Sequence, residues 1–221
     1  MASSLPSHQN VPTSTHHKRK LAVIVTAWLM LVLGGFAVSI QHDARPGASG
    51  DPPASWPVAS RLKREPKRPT LLMFIHPNCP CTRASLAELG RVLEEQHDPL
   101  AAYAVFVQQP SLTDDRRTKD LWSAAQAIPG LSLVEDRDGS EAARFNVRTS
   151  GHVLLYDAVG KLDFSGGVTV ARGHVGQSSA SDSLVAALNH QVTPKEQPPV
   201  FGCPLCDPND KNCSPEKCER P

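Results

Sequence analysis

The sequence predicts an α/β protein: a mixed central sheet flanked by helices, with an N-terminal transmembrane helix and a cysteine-rich irregular tail. Three observations lead to this fold class. Between residues 70 and 192, short apolar segments alternate with amphipathic ones, as expected for strands and helices packed in layers. Near the N-terminus lies a stretch of about 20 uncharged residues. The last segment, 193–221, holds seven prolines and four cysteines and shows no helical or strand period.

The uncharged stretch is LAVIVTAWLMLVLGGFAVSI, residues 21–40, long enough to cross a hydrocarbon core of ~30 Å as a helix. The basic triplet KRK at 18–20 precedes it, so the positive-inside rule keeps residues 1–20 in the cytoplasm and exports the chain beyond the span. A cleavable signal peptide is the alternative, because AVS at 37–39 suits a signal peptidase. The length of the apolar run favours a retained anchor in the inner membrane, with the domain in the periplasm.

Residues 41–69 are rich in Pro, Ala, Gly, Ser and basic side chains and lack a hydrophobic period. They are predicted to form a flexible linker. The folded domain is predicted at 70–192. It begins with TLLMFI (70–75), an apolar run typical of a strand buried on both faces, followed by a helix whose leucines recur along one stripe.

The remaining segments continue the alternation, in the order strand, helix, strand, helix, strand, strand, helix. They are LAAYAVFV (100–107), 111–128, LSLVED (131–136), SEAARFNV, HVLLYDA, KLDFSGGV and 181–191. A turn at Val159 and Gly160 makes the last two strands antiparallel, and Ser181 is the expected cap of the last helix. The sheet is therefore predicted to be mixed, and about 120 residues are enough for an independent core.

Cys79 and Cys81 flank a single proline where the first strand meets its helix. Proline is favoured at the first helical position, which makes Cys79 the predicted N-cap. Free backbone N–H groups and the helix dipole stabilise a thiolate there, so Cys79 is predicted to be a nucleophile with a lowered pKa. His76, three residues upstream, is a candidate proton shuttle, or else a residue that orders the turn.

The spacing of the two cysteines restricts their chemistry. Residues two apart fall within the ~4.4–6.8 Å between Cα atoms that a disulfide needs, but on a helical turn their side chains point to nearly opposite sides. A Cys79–Cys81 bond would be strained and therefore oxidising. The reduced pair could instead bind a soft ion such as Cu(I). Purely structural cysteines are the third interpretation.

The tail carries four more cysteines: Cys203, Cys206, Cys213 and Cys218. Outside the cytoplasm they would most simply form two disulfides, in any of three connectivities. A zinc site is the minor alternative. Cys203 could also approach Cys79 or Cys81 and act as a resolving thiol.

The loop GGVTVARGH follows the last strand of the sheet. Its first two glycines, Gly166 and Gly167, suit a tight exit from the sheet. Arg172 and His174 could line the same edge as the cysteine pair, although a solvated loop is the favoured interpretation of both. The formal net charge of +1 gives no electrostatic footprint for nucleic acid, which is therefore excluded as a partner.

A buried strand, then HPNCPCT, then a helix resembles the active-site turn of the thioredoxin superfamily. DRDGSEAARFNVRTSGHVLLYDAVGKL resembles the membrane-anchored, extracytoplasmic branch of that superfamily. Taken together, FIHPNCPCTRASLAEL, TSGHVLLYDAVGKLDFSGG, ARGH and VFGCPL resemble the bacterial RedB-like group, over roughly residues 70–205. The resemblance implies a thioredoxin-like fold and a role in thiol–disulfide exchange.

Two features depart from the superfamily pattern. Reductases of this kind usually have two residues between their cysteines, whereas only Pro80 intervenes here. The superfamily also places a cis-proline before the strand that faces the active site, and Ser150 or Gly151 holds that place, followed by His152. A histidine opposite a cysteine pair resembles copper-handling proteins of the Sco type.

The leading hypothesis is a membrane-tethered, exported thiol–disulfide oxidoreductase without a cofactor. Cys79 would exchange with a protein thiol or disulfide partner, and Cys81 would resolve the mixed disulfide. The alternative is a copper-binding or copper-delivery module that holds Cu(I) with Cys79, Cys81 and His152. A non-catalytic adaptor that only keeps the fold is the third hypothesis.

Overall fold

The computed structural model describes residues 15–48, 50–108, 116–191 and 197–205. They belong to two units, one ending at His42 and the other beginning at Asp43. In the first unit, helix α1 (Thr15–Asp43) contains a segment, Lys18–Asp43, that is long and apolar enough to cross a membrane. The side chains of this segment, Lys18–Asp43, are exposed. The predicted apolar span 21–40 therefore lies within one continuous helix.

The second unit is built around a five-stranded mixed sheet in the order β3-β2-β1-β4-β5. Strands β1, β2 and β3 are parallel, whereas β4 is antiparallel to both β1 and β5. The elements are β1 (Thr70–Ile75), α2 (Thr82–Glu95), β2 (Ala101–Val107), α3 (Arg116–Gln126), β3 (Leu131–Asp136), α4 (Ser140–Arg144), β4 (His152–Tyr156), β5 (Leu162–Gly166) and α5 (Ser179–Leu188). The predicted fold class, a mixed sheet flanked by helices, is confirmed.

Strand β1 lies at the centre of the sheet, and all six of its residues are buried. Successive side chains of β1 point to opposite faces of the sheet and pack into two separate cores. Leu71, Met73 and Ile75 pack with residues of α2, α3 and α5 on one face of the sheet. Leu72 and Phe74 pack with residues around α4 on the other. This two-sided burial explains why β1 is apolar from Leu71 to Ile75. It also places the carboxyl end of the strand, just before Cys79, between two cores.

The segment predicted as a flexible linker, 41–69, is in part packed onto the sheet unit. The ring of Trp56 meets the rings of Phe145 and Tyr156 edge-on, with centroids 5.1 and 5.2 Å apart. Leu62 is buried in the same core. The linker prediction therefore needs correction for this stretch. Single apolar side chains set among prolines make no periodic pattern, and only the folded partner surface shows that they are buried.

Helix α5 also begins earlier than expected. Its cap is Ser178, whose hydroxyl accepts a hydrogen bond from the N–H of Ser181, and the Ser181 hydroxyl accepts one from the N–H of Ser178 in return. Ser181, the predicted cap, is thus the third residue of a reciprocal capping box.

Candidate functional site

Cys79 lies in the turn between β1 and α2, and its side chain is buried. The carbonyl of Cys79 accepts the N–H of Thr82 at 3.3 Å, which closes one tight turn before the regular helix begins at Thr82. Cys81 is therefore the N-cap, two residues later than the cap predicted from Pro80. A short turn ahead of the helix was not visible in the sequence, because proline suits a turn as well as a first helical position.

The sulfur of Cys79 is surrounded by hydrogen-bond donors. The backbone N–H of Cys203 donates to Cys79 Sγ, with 3.3 Å between the nitrogen and the sulfur. The pKa of Cys79 is lowered to about 4, chiefly by the hydrogen bond from the Cys203 thiol. The hydroxyl and N–H of Thr82 and the N–H of Cys203 act in the same direction, whereas burial opposes the shift. Cys79 is therefore a thiolate at neutral pH.

A chain of hydroxyl groups orients the Thr82 donor. The N–H of His76 donates to Ser150 Oγ at 2.8 Å, and Ser150 Oγ lies 2.6 Å from Thr82 Oγ1. The Thr82 hydroxyl donates its one proton to Cys79, so in the bond between the two hydroxyls Ser150 Oγ is the donor and Thr82 Oγ1 the acceptor. The bonds from His76 and to Thr82 therefore fix the Ser150 hydroxyl in place.

Cys203 reaches this site on an extended segment, residues 197–205, which we call the strap. The N–H of Ser150 donates to the carbonyl of Cys203 at 2.9 Å, and the N–H of Leu205 donates to the carbonyl of Arg148 at 2.9 Å. Between these two bonds, Thr149 and Pro204 form an antiparallel bridge. The bond from Ser150 to Cys203 requires a backbone N–H at position 150, which a proline would lack.

The other end of the strap is fastened just beyond the end of β5. The N–H of Gly167 donates to the carbonyl of Pro198 at 3.1 Å. A Cβ at Gly167 would overlap the Pro199 carbonyl oxygen, so the glycine permits the close passage of the strap. The apolar strap residues Val200 and Phe201 are buried.

Arg172 joins the strap to Cys81. Its Nη1 donates to the carbonyl of Gly202 at 2.6 Å, and its guanidinium lies beside the sulfur of Cys81. Burial, and then the charge of Cys79, raise the pKa of Cys81, while Arg172 acts in the opposite direction. The prediction that Arg172 is a solvated loop residue therefore needs correction, because Arg172 contacts Gly202 and Cys81. His174, from the same loop, is exposed.

Cys203 holds its proton firmly in this arrangement. The hydrogen bond that its thiol donates to Cys79 raises the pKa of Cys203, and burial and the negative charge of Cys79 act in the same direction. Cys79, Cys81 and Cys203 are all free of disulfide bonds. The other tail cysteines, Cys206, Cys213 and Cys218, lie outside the described residues.

The two candidate histidines lie in different surroundings. Nδ1 of His76 accepts the N–H of Asn78 at 3.2 Å, which orders the turn ahead of Cys79. His152 is buried, and its Nε2 lies 2.8 Å from Ser165 Oγ on β5. In β4, His152 shares the face of Leu154 and Tyr156, which belong to the core on the α4 side rather than the α2 side.

The alternative hypothesis assigns Cu(I) to Cys79, Cys81 and His152, and it stays a prediction. His152 contacts Ser165 on the α4 side of the sheet. Cys81 caps α2, which packs on the other side. Within the ranges that the structure describes, no three His, Cys, Asp or Glu side chains are grouped closely enough to hold a metal ion.

No family model and no curated protein matches this chain. Among solved structures, an uncharacterized conserved protein from Geobacillus kaustophilus is 18% identical over 73% of this chain and 92% of its own, with a TM-score of 0.54. The hypothetical protein SMc02350 from Sinorhizobium meliloti 1021 has the same identity and TM-score, over 73% and 93% of the two chains. These two likenesses show that the fold is shared.

Other structural neighbours carry thioredoxin or disulfide-oxidoreductase names. One is a secreted disulfide oxidoreductase from Mycobacterium tuberculosis, 18% identical over 57% of this chain and 83% of its own, with a TM-score of 0.40.

Proposed function

We propose that this chain is a membrane-tethered, exported thiol–disulfide oxidoreductase of the thioredoxin superfamily, close to the RedB-like group, in which Cys79 is the attacking sulfur. The observation that carries the proposal is the set of donors around the Cys79 sulfur, from Cys203 and Thr82. A thiolate is the nucleophile of disulfide exchange, and a sulfur with a pKa of about 4 is ionised throughout the physiological range.

The first chemical step is attack of the Cys79 thiolate on a disulfide of a partner protein. A bond forms between Cys79 Sγ and one substrate sulfur while the substrate S–S bond breaks, and the leaving sulfur takes a proton from solvent. A second thiol of this chain must then attack Cys79 Sγ to release the substrate. The sequence analysis assigns that step to Cys81. Burial and the charge of Cys79 raise the pKa of Cys81, and Arg172 beside it acts in the opposite direction.

The apolar helix α1 supports attachment to a membrane, since its segment Lys18–Asp43 is long enough to span one. The basic triplet before this segment supports a cytoplasmic N-terminus, which leaves the sheet unit on the outer side. In an oxidising compartment, an exposed substrate disulfide is available to Cys79.

The experiment uses the reduced full-length chain in detergent micelles with a model disulfide peptide. Mass spectrometry detects the mixed disulfide at Cys79 and the peptide thiol released. We expect Cys79→Ser to abolish exchange, whereas Cys81→Ser, the matched control from the same turn, keeps the first attack. A Cys79→Ser protein that reduces the peptide at the wild-type rate would refute the proposal.

The same experiment separates exchange from a non-catalytic adaptor role. An adaptor predicts that neither Cys79 nor Cys81 exchanges with the peptide faster than a free cysteine at the same pH. Faster exchange at Cys79 alone supports the oxidoreductase.

A further inference from the structure

We propose that Cys203 is the resolving thiol of this site, and that the strap carrying it lies where an extended substrate peptide must lie. This inference rests on the proposed role of Cys79 and extends it by naming the second sulfur and the geometry of the substrate.

The first argument is contact. The strap points both the N–H and the thiol of Cys203 at Cys79 Sγ. The Cys81 thiol also forms a hydrogen bond with Cys79, but this bond affects the pKa of Cys81 less than burial, the charge of Cys79 or Arg172 does. At Cys203, by contrast, the hydrogen bond to Cys79 is the strongest influence on the pKa. Only a single proline separates Cys79 from Cys81, and a disulfide between them would be strained, whereas Cys203 approaches on a separate segment of the chain.

The second argument is the form of the strap. Residues 203–205 run antiparallel to residues 148–150, with one backbone hydrogen bond on each side of the Thr149–Pro204 bridge. An extended peptide that adds itself to exposed backbone makes this pattern. Cys203 then occupies the position of a substrate cysteine, directly over Cys79.

The third argument is access. With the strap in place, only 1% of Cys79 is exposed, so an external disulfide cannot reach the sulfur. The substrate must therefore displace the strap, and the vacated backbone of residues 148–150 is free to pair with an extended segment of the substrate. The substrate class that fits is a protein disulfide whose cysteine lies in an extended segment.

In the second step Cys203 must become a thiolate, and the charge of Cys79 determines when it can. While Cys79 is a thiolate, Cys203 keeps its proton. Once Cys79 is in a mixed disulfide its negative charge is gone. The hydrogen bond and the charge through which Cys79 raises the pKa of Cys203 are then lost, while Arg172 nearby still favours the Cys203 thiolate.

Cys203, having lost its proton to solvent, then attacks Cys79 Sγ. The Cys79–Cys203 bond forms, the bond between Cys79 and the substrate breaks, and the substrate thiolate leaves and takes up a proton. Two electrons pass from the cysteine pair to the substrate, and the strap is closed covalently.

The first experiment maps disulfides in the full-length chain in detergent. Wild type, Cys203→Ser and the matched control Cys81→Ser are equilibrated with graded ratios of reduced and oxidised glutathione, alkylated and analysed by mass spectrometry. We expect a Cys79–Cys203 bond in wild type and in Cys81→Ser. Cys203→Ser should instead accumulate glutathione on Cys79. Circular dichroism checks that the variants are folded.

The outcomes separate this inference from the proposed function. A Cys79–Cys81 bond in wild type, or accumulation of glutathione in Cys81→Ser rather than in Cys203→Ser, would overturn the role of Cys203 and leave Cys79 as the attacking sulfur. A Cys79 that forms no disulfide of any kind would overturn both.

The second experiment tests the position of the strap. A Cβ at Gly202 would overlap the Ser150 carbonyl oxygen, so Gly202→Ala should push the strap away from residues 148–150. In a Cys203→Ser background, we expect Gly202→Ala to speed formation of the mixed disulfide at Cys79 by roughly tenfold, because the open state gains population. Pro204→Ala, at an exposed strap side chain, is the matched control. Equal rates in the two double variants would show that the strap does not occupy the substrate position.

Discussion

The reactivity of Cys79 is set by individual donor groups rather than by the helix terminus alone. The helix begins three residues later, at Thr82, and its first turn contributes the hydroxyl and N–H of that residue. Further donors come from Cys203, 124 positions along the chain. Hydrogen bonds to a charged acceptor are worth more than neutral ones, which accounts for a lowered pKa at a buried sulfur.

At this scale the Thr82 hydroxyl gives a direct test. Thr82→Val keeps the shape and removes one donor, and a bond to a charged group contributes about 1.5–3 kcal/mol, so the pKa of Cys79 should rise by about one to two units. The thiolate absorbance near 240 nm, taken as the difference from Cys79→Ser across pH, reports the pKa. Thr82→Ser, which keeps the hydroxyl, should leave the value close to wild type. An unchanged pKa in Thr82→Val would show that the hydroxyl points elsewhere.

His152 gives a second prediction at the residue scale. Burial lowers the pKa of His152 from 6.5 to about 4, and its Nδ1 has no hydrogen-bond partner in the described part of the chain. Below pH 6.5 the unfolded chain takes up a proton that the folded chain refuses until about pH 4. The unfolded state therefore binds more protons, and stability falls as pH drops through this window.

The loss attributable to His152 should reach of order 3 kcal/mol by pH 4, since each pKa unit corresponds to about 1.4 kcal/mol. His152→Gln, which can still bond to Ser165 but does not titrate here, should lose less stability over the same range. Urea unfolding of both proteins at pH 7 and pH 4.5 measures the difference. Parallel losses in the two proteins would contradict the assignment.

At the scale of single elements, hydrogen bonds determine where α5 begins and where the strap lies. Helix α5 covers one core of the sheet, and the reciprocal bonds of Ser178 and Ser181 satisfy N–H groups at its start. The strap is neither a helix nor a regular strand, and its sequence has no hydrophobic period. Backbone hydrogen bonds to Ser150, Arg148 and Gly167 hold it in place.

The cap of α5 can be tested by Ser178→Ala. Loss of the side-chain acceptor should lower the free energy of unfolding by about 1 kcal/mol, the usual cost of losing an N-cap. Ser179→Ala, at the exposed neighbouring position, should change stability little. Urea denaturation compares the two variants, and equal stabilities would show that the cap contributes nothing measurable.

At the scale of the whole molecule, the sheet unit extends beyond the region that the sequence marked as a domain. It begins at Asp43, and Trp56 and Leu62 are part of one of its cores. The strap adds buried residues from the other end of the chain, including Leu205 in the same core.

Two fragments test this boundary. A fragment that starts at Asp43 should fold, whereas one that starts at Arg61 should be less stable by about 2–4 kcal/mol, because it leaves the aromatic core without Trp56. Trp56→Ala in the longer fragment should reproduce much of that loss. Thermal unfolding of the three proteins measures it. A shorter fragment with the same melting temperature would show that Trp56 is dispensable.

Some residues of the candidate site lie close together in the sequence, and others come from distant segments of the chain. The position of Cys79 at a strand–helix junction could be predicted, because the apolar strand, the proline and the amphipathic helix are adjacent in sequence. The hydrogen bonds of Ser150 to Thr82 and Cys203 could not be predicted. Arg172 was one of two loop residues that could line this edge, but its contacts with Cys81 and the strap could not be derived, because its segment has no pattern related to Cys79. Cys203 was only one of several options for the tail, as spacing alone allows many pairings.

The sequence by itself determined the order of strands and helices, the approximate bounds of each strand, and the apolar N-terminal helix. These features depend on hydrophobic period and turn residues, which act between neighbours along the chain. Only the tertiary structure decided that Trp56 joins the core, that Cys79 meets the strap, and that His152 faces away from α2. Such contacts join residues far apart in the chain, and their energy depends on which surfaces the fold brings together, so no local pattern records them.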